Sequence, residues 1–403
     1  MPAMKIAHLH WGFPPVIGGV ESHLAMLGPE LVKRNCRVSL LTGSVGGCPA
    51  EESYEGMYVR RTPAMDLNSL TPERIEEQFG DIGRVIAQFV DDTDPDIIHA
   101  HNMHYFSPMH TDILNRIKRE RKIPLALTAH NVWPDNDRTW AEMNRRADIW
   151  DGVIAVSNYI KGELVRAGYR GERITTVHHG IDLAKFGPCT GEDRERIRFL
   201  YPEFEGRRVI FHPARMNLEK GSHLSVRALD IIRREFPDVL LVMAGTEKAV
   251  DWGAQHRKHV AAIMGMIEEY GLQENIFVKF FPWHQMPLVY KAAEFCLSPS
   301  CFEEPFGIVM LESMASGRPV IVSRAGGMPE VIKDGSNGFI VKMSDAGALA
   351  EKCLILLKNP GMCSRMGEKG MEMVRAYWTK EKMTAATLDV YRTVLERKNR
   401  FGT

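Results

Sequence analysis

Three glutamates crowd one short stretch of the chain, "CFEEPFGIVMLESMASGRPV" at residues 301–320, beside a Phe-Gly pair and an apolar run. The pattern predicts a helix that begins near Gly307 and stops at Gly317, ahead of Arg318-Pro319. The start of such a helix offers unpaired backbone N–H groups and partial positive charge, which suit a diphosphate, and Gly307 lets an anion approach the backbone closely. Glu304 stands just before this helix; Glu312, with seven residues intervening, lies one to two turns inside it. Carboxylates placed on the two sides of a diphosphate can accept hydrogen bonds from a sugar and from a ribose. The plainer alternative is that Glu304 complements the helix dipole and Glu312 is a solvated helix position.

Other residues add to the anion chemistry. "HPARMNLEKGSHL" leaves a strand candidate at 209–214 with Arg215 and then Lys220, just before a Gly-Ser helix start. Two cations at the mouth of a strand suit a departing diphosphate, whereas either alone reads as a surface charge. Near the N-terminus, Gly18-Gly19 follow the first strand candidate and permit a turn and a close backbone approach. Glu21, on the next helix turn, either caps that helix or touches an acceptor, and capping is the reading favoured. No G-x-G-x-x-G follows strand 5–10, which argues against a nicotinamide enzyme.

The elements that must position these groups alternate. In the first half "KIAHLH", "RVSLLTG", "MYVRRTP", "DIIHAH", "LALTAH", "GVIAVS" and "ITTVHHG" are strand candidates, separated by amphipathic stretches such as "PERIEEQFGDIGRVIAQFVDD". The stretch 182–195 interrupts the rhythm with Gly, Pro and charge and is read as a linker. The second half repeats the alternation with "RRVIFHPA", "VLLVMAG", "NIFVKFF", "EFCLSPS", "PVIVS" and "NGFIV", and from about 345 onward it turns purely helical. Two doubly wound α/β domains are therefore expected, 1–185 and 196–378, facing a central cleft, with a helix over 379–403 packing back on the first.

Composition bounds the rest. The 403 residues exceed what one hydrophobic core normally serves, and 44% apolar with 25% charged residues is ordinary for a globular protein. Lys plus Arg balance Asp plus Glu at 51 each, so no net field exists to hold nucleic acid. No apolar run approaches the length of a membrane span and "MPAMKIAHLHW" lacks a signal-peptide pattern, so a cytoplasmic location is expected. The seven cysteines form no Cys-x-x-Cys pair and are expected to be buried thiols.

Taken together, "HPARMNLEKG", "PSCFEEPFGIVMLESMASGRPVI" and "GGMPEVIKDGSNGFIV" resemble the donor-binding signature of the retaining glycosyltransferases of family 4, which have the GT-B fold. "PPVIGGVESH", "PDIIHAHN", "LTAHN", "IAVSNYIK" and "HHGIDLAKF" extend the resemblance through the first half in the expected order. It implies a transferase that moves a hexosyl or N-acetylhexosaminyl unit from a nucleotide diphosphate sugar, a UDP-sugar above others, to an acceptor hydroxyl with retention. A same-fold epimerase or phosphorylase, and a sugar-nucleotide-binding protein without turnover, are the alternatives.

The resemblance also implies roles: Glu304 and Glu312 on the donor sugar and ribose, and Arg215 and Lys220 on the phosphates. The backbone around Phe306, Gly307, Ile308 and Val309 would complete the phosphate cradle, Gly18-Gly19 would approach the donor, and His130 would lie beside the reacting sugar. No protein base, cofactor or metal is expected. The chain departs from the usual Asn-Gly-x-Asp in reading His179-Gly180-Ile181-Asp182, which removes an amide from that position.

Several local motifs compete for attention. Trp133, Asp135 and Asp137 in "NVWPDNDRTW" are candidates for acceptor contact, and Asp135-Asn136-Asp137 weakly resembles a metal site. Asp94-Pro95-Asp96 precedes its strand and reads as a capped turn. His99, His101 and His104 could suggest zinc, but no fourth ligand is apparent. "NRIKRERK" at 115–122 reads as a solvated helix face in preference to a membrane-binding one.

Overall fold

The computed structural model describes residues 3–67, 70–132, 138–244 and 253–401. Its contacts divide the chain into two units, Met1–Gly180 with Lys380–Thr403, and Ile181–Thr379.

The first unit holds an eight-stranded sheet: β1 (Lys5–Leu9), β2 (Arg37–Gly43), β3 (Glu51–Tyr54), β4 (Met57–Thr62), β5 (Ile97–His101), β6 (Leu125–Ala129), β7 (Gly152–Ala155) and β8 (Ile174–Thr176). The order is β3-β4-β2-β1-β5-β6-β7-β8, and every neighbouring pair is parallel except the β3–β4 hairpin. β5 and β6 are buried along their whole length, as near-continuous apolar runs are when helices cover both faces. Sequence reading missed β3: "EESY" has no apolar alternation, because it is an edge strand whose sides meet solvent.

The second unit holds β9 (Arg208–His212), β10 (Val239–Ala244), β11 (Ile276–Lys279), β12 (Phe295–Ser298), β13 (Val320–Ser323) and β14 (Gly338–Val341) in the all-parallel order β11-β10-β9-β12-β13-β14. Ile210, Leu241, Met243, Leu297 and Ile321 from its sheet pack with Leu224, Leu229, Leu349 and Leu356 from the covering helices in one core.

Helix ends follow local chemistry. The Phe79–Thr93 helix buries Ile82, Ile86, Phe89 and Val90, one apolar stripe at helical spacing, and stops where Asp94 turns left-handed at φ 41°. Asp94 and Asp96 then bind Lys5, through its ammonium and its backbone N–H, so the Asp-Pro-Asp motif is a structural turn. The amphipathic run read over 72–92 is split at Gln78 into two helices.

The expected linker is shorter than 182–195. A helix, Gly191–Leu200, begins inside it, started by a reciprocal capping box between Thr190 and Asp193. The Lys380–Phe401 helix belongs to the first unit: Tyr391 bonds His99 at 2.6 Å, and a Cβ on Gly152 would strike Val394. Cys36, Cys296, Cys353 and Cys363 are buried, but Cys48, Cys189 and Cys301 are only half-buried, which corrects the expectation for those three. Among the described residues no helix is long and apolar enough to cross a membrane.

In both sheets the winding reverses beside the first strand. β1 has β2 on one side and β5 on the other, and β9 has β10 on one side and β12 on the other. At such a switch point the loops leaving neighbouring strands diverge and open a crevice at the strands' C-terminal ends.

Candidate active site

The second unit's switch point carries the acidic and basic groups. The loop after β9 contains Arg215 and Lys220; the loop after β12 contains Glu303 and Glu304. The two loops are locked together. Cys301 donates its backbone N–H to the Glu219 carbonyl at 2.7 Å, and Gly221 (φ 75°) lies so close to Pro299 that a Cβ would stand 1.9 Å from its carbonyl oxygen. Only glycine fits there, on both steric and dihedral grounds.

Across this junction Lys220 Nζ donates to Glu304 Oε2 at 2.7 Å and sits 4.6 Å from the centre of the Phe302 ring. The lysine side chain is one-third exposed (33%), so the pair itself adds little to stability. It leaves a cation and a carboxylate oriented at the crevice and able to exchange partners. Ser300 Oγ approaches the same carboxylate at 3.4 Å. The Glu304 carbonyl accepts from Gly327 N at 2.9 Å, and a Cβ on Gly326 would fall 2.1 Å from that carbonyl, so the turn after β13 braces the glutamate from behind. Glu303 accepts from Gly326 N. The adjacent acids thus have different tasks, one holding the loop and one facing Lys220.

Gly307, at φ 84°, is the N-cap of the Ile308–Ala315 helix, and Gly317 (φ 74°) follows its end. Phe306 is buried beneath the turn, while Ile308 and Val309 are half-buried in the first helical turn. Glu312 is not a solvated helix position. It accepts a 2.5 Å hydrogen bond from the Tyr290 hydroxyl, and burial pushes its carboxyl up to about 7, against the opposing effect of that bond. Arg215 stands exposed on the β9 loop, close enough to His256 for its charge to depress that imidazole further than burial already does.

The first unit's switch point is furnished with imidazoles. His8 and His10 come from the end of β1, His99 and His101 from β5, His130 from the residue after β6, His23 from the Gly19–Lys33 helix, and His179 from beyond β8. All are buried. His8 Nδ1 meets His101 Nε2 at 3.0 Å, and His101 Nδ1 meets His130 Nε2 at 3.1 Å, forming a continuous chain. His23 Nδ1 lies 3.0 Å from His179 Nδ1, and His179 stacks on His130 with ring centres 5.3 Å apart. Burial holds His8 and His179 at about 3 and His23, His99, His101 and His130 well below the usual imidazole range, with neighbouring histidines adding to the depression of His23, His99, His101 and His130. These six imidazoles are neutral near pH 7.

Glu21 lies in the first turn of the Gly19–Lys33 helix, where its charge favours the helix dipole, and it pairs with His10 at 3.1 Å. Its carboxylate fills the space that Cβ atoms on Gly12 and Gly18 would need, at 2.5 and 2.4 Å. Gly18 is extended rather than left-handed, so the carboxylate and not the dihedral requires glycine there; a Cβ on Gly19 would meet nothing.

Of the predicted residues, Lys220, Glu304 and Gly307 come together in the second unit, with Glu312 on the same helix, and Glu21 and His130 lie among the first unit's histidines. Trp133, Asp135 and Asp137 lie outside the described residues. His104 turns instead to the Asn131 carbonyl, at 3.0 Å. The basic run 115–122 is largely neutralised locally: Lys118 pairs with Asp151 and Arg121 with Asp91 and Glu120. Sequence reading missed Tyr290 and the joint role of His8, His10, His23 and His179. The available signal was the recurrence of histidine at the ends of successive strand candidates.

Two Rossmann-like α/β domains of this kind define the GT-B fold. Known proteins agree. Residues 17–185 match the Glycosyltransferase Family 4 model and residues 193–373 the Glycosyl transferases group 1 model. An uncharacterized glycosyltransferase of Methanocaldococcus jannaschii is 26% identical over 98% of this chain and 100% of its own. Among solved structures, sucrose-phosphate synthase from Thermosynechococcus elongatus superposes with TM-score 0.82 at 22% identity, covering 98% of this chain and 100% of that one. Anabaena HepE, solved with UDP and glucose, gives 0.79 at 18%, covering 96% and 99%. The chain belongs to the glycosyltransferase superfamily of GT-B fold.

Proposed function

We propose that this protein is a retaining glycosyltransferase of family 4 that moves a hexosyl or N-acetylhexosaminyl unit from a nucleotide diphosphate sugar to an acceptor hydroxyl, with a UDP-sugar as the favoured donor. The observation that carries the reading is the Lys220–Glu304 pair at the second unit's switch point, next to the Gly307-capped helix that bears Glu312. A diphosphate at that helix start takes Lys220 and Arg215 as counterions, which frees the Glu304 carboxylate to accept from hydroxyls of the donor sugar. Glu312, held by Tyr290, accepts from the ribose. As the sugar–phosphate bond breaks, negative charge grows on the departing diphosphate, and the two cations stabilise it where it develops. The departing phosphate oxygen then serves as base for the incoming hydroxyl, so no side chain needs that task and no metal needs to neutralise the phosphates. His130, neutral at pH 7, offers a hydrogen bond without a charge. The UDP and glucose bound by the similarly folded HepE favour a uridine donor.

A panel of nucleotide sugars in a thermal-shift assay tests the donor class, since a ligand bound only by the folded state raises the melting temperature. UDP-sugars are expected to give the largest shift, and the best donor then to support transfer to an acceptor pool. No shift with any nucleotide, or an unchanged shift and turnover in Lys220→Ala, would overturn the reading. Donor conversion without acceptor would indicate an epimerase or phosphorylase instead.

A further inference from the structure

The first unit's histidines form two groups of three whose ring nitrogens lie within 4.8 Å of one another, His8 with His99 and His101, and His23 with His101 and His130. Their hydrogen bonds distinguish them. In the first group both nitrogens of His99 are engaged, Nδ1 with the Tyr391 hydroxyl at 2.6 Å and Nε2 with Thr128 Oγ1 at 2.7 Å. That ring has no lone pair directed at a shared point. His8 Nε2 in the first group and His23 Nε2 in the second are buried and without a hydrogen-bond partner, but only in the second group do the other two members, His101 Nδ1 and His130 Nε2, face each other. A buried imidazole nitrogen left unsatisfied is costly, and a ligand that uses the His23 Nε2 lone pair removes that cost.

We propose that His23, His101 and His130 bind a divalent transition-metal ion of the zinc class. The approach of His101 Nδ1 to His130 Nε2, 3.1 Å, is close to the separation of about 3.3 Å between two imidazole nitrogens on a tetrahedral Zn²⁺. The ion replaces the proton these two nitrogens share, and that proton moves to His130 Nδ1, so the imidazoles stay neutral overall. Outer partners orient two of the three ligands, as metal sites require: His8 Nδ1 bonds His101 Nε2 and His179 Nδ1 bonds His23 Nδ1. Nitrogen-only ligation selects zinc, nickel or cobalt over magnesium or calcium. Because the ligands come from the helix after β1, the end of β5 and the residue after β6, the ion would rivet three elements at the switch point and raise the unit's stability. The site shares His130 with the proposed sugar contact but none of the phosphate-binding groups of the second unit.

The full chain, stripped with chelator, would be titrated with Co²⁺ and followed by its ligand-field absorption, and with Zn²⁺ by calorimetry and thermal shift. The expected result is about one equivalent bound per chain, a tetrahedral Co²⁺ band that Zn²⁺ displaces, and a higher melting temperature. His23→Gln and His101→Ala should each weaken binding tenfold or more. Because His101 is fully buried, His23→Gln, which keeps a polar side chain of similar size, guards against a misfolded variant, with circular dichroism as the check. No band and no heat at micromolar concentrations, or unchanged binding in a folded His23→Gln protein, would overturn the site. UDP-sugar thermal shifts measured in parallel report the second unit, so failure of either proposal is recognised independently.

Discussion

The two sheets reverse their winding at equivalent points, yet they furnish those points with opposite chemistry. The second unit places a cation and carboxylates on partly open loops, with Lys220 facing Glu304 and a Gly307-capped helix beside them. The first packs neutral imidazoles behind strand ends, where burial denies them a charge. A crevice at diverging loops therefore specifies where polar groups can collect, but not which. The contrast reaches into pH dependence. In the first unit's histidine cluster the folded state disfavours protonation, whereas at Glu312 it favours protonation, so these two sites respond to acid with opposite signs.

Acid gives the largest test of that contrast. Each of the six clustered imidazoles that burial depresses is neutral when folded but binds a proton below about pH 6.5 when unfolded, so its contribution is complete above that pH and is lost as pH falls. His8 alone, held at about 3, corresponds to roughly 3 kcal/mol lost by pH 4. Hydrogen exchange at pH 7, 5.5 and 4 should show the first unit's protection collapsing well before the second's; simultaneous loss would mean that the histidines are not what separates the two units.

Next comes Lys220→Ala, expected to lower kcat/KM by roughly 10²–10³ through lost stabilisation of the departing diphosphate. Lys220→Arg should recover part of the loss. A change in KM alone would assign the lysine to ground-state binding.

Gly221→Ala forces a Cβ toward the Pro299 carbonyl at positive φ, and it should destabilise the second unit by about 2–4 kcal/mol. Denaturant unfolding followed by exchange in each unit would detect this; a loss confined to the first unit would contradict the packing of the two loops.

The smallest effect is expected from Glu312→Gln. The carboxyl is raised to about 7, so ionising it costs folded-state stability as pH climbs from near 4.5 through 7. The amide removes that cost and should raise stability at pH 8 by roughly 1–2 kcal/mol, while weakening nucleotide binding. Native nucleotide affinity should itself rise from pH 6 to 8 as the carboxylate forms. Equal stability of the two proteins at pH 8 would show that the carboxyl is not desolvated.

The sequence by itself determined the alternation of strand and helix, and hence two doubly wound sheets. Apolar runs such as "VLLVMA" and "LALTA" have few other places to be buried, and the glycines at 307 and 317 mark where a helix must begin and end. It also exposed Lys220, Glu304 and Glu312, whose charged side chains stand out in short motifs between those runs. Strand β3 left no such trace, because an exposed edge requires no apolar pattern. Only tertiary structure decided which glutamate faces the lysine and which one holds the loop, that Tyr290 bonds Glu312, and that histidines 156 residues apart, His23 and His179, meet at 3.0 Å. Periodicity records which face of an element is buried; it carries no record of which distant element covers that face. Partnerships between polar groups, and the protonation states that follow from them, are therefore set when the sheets close around them.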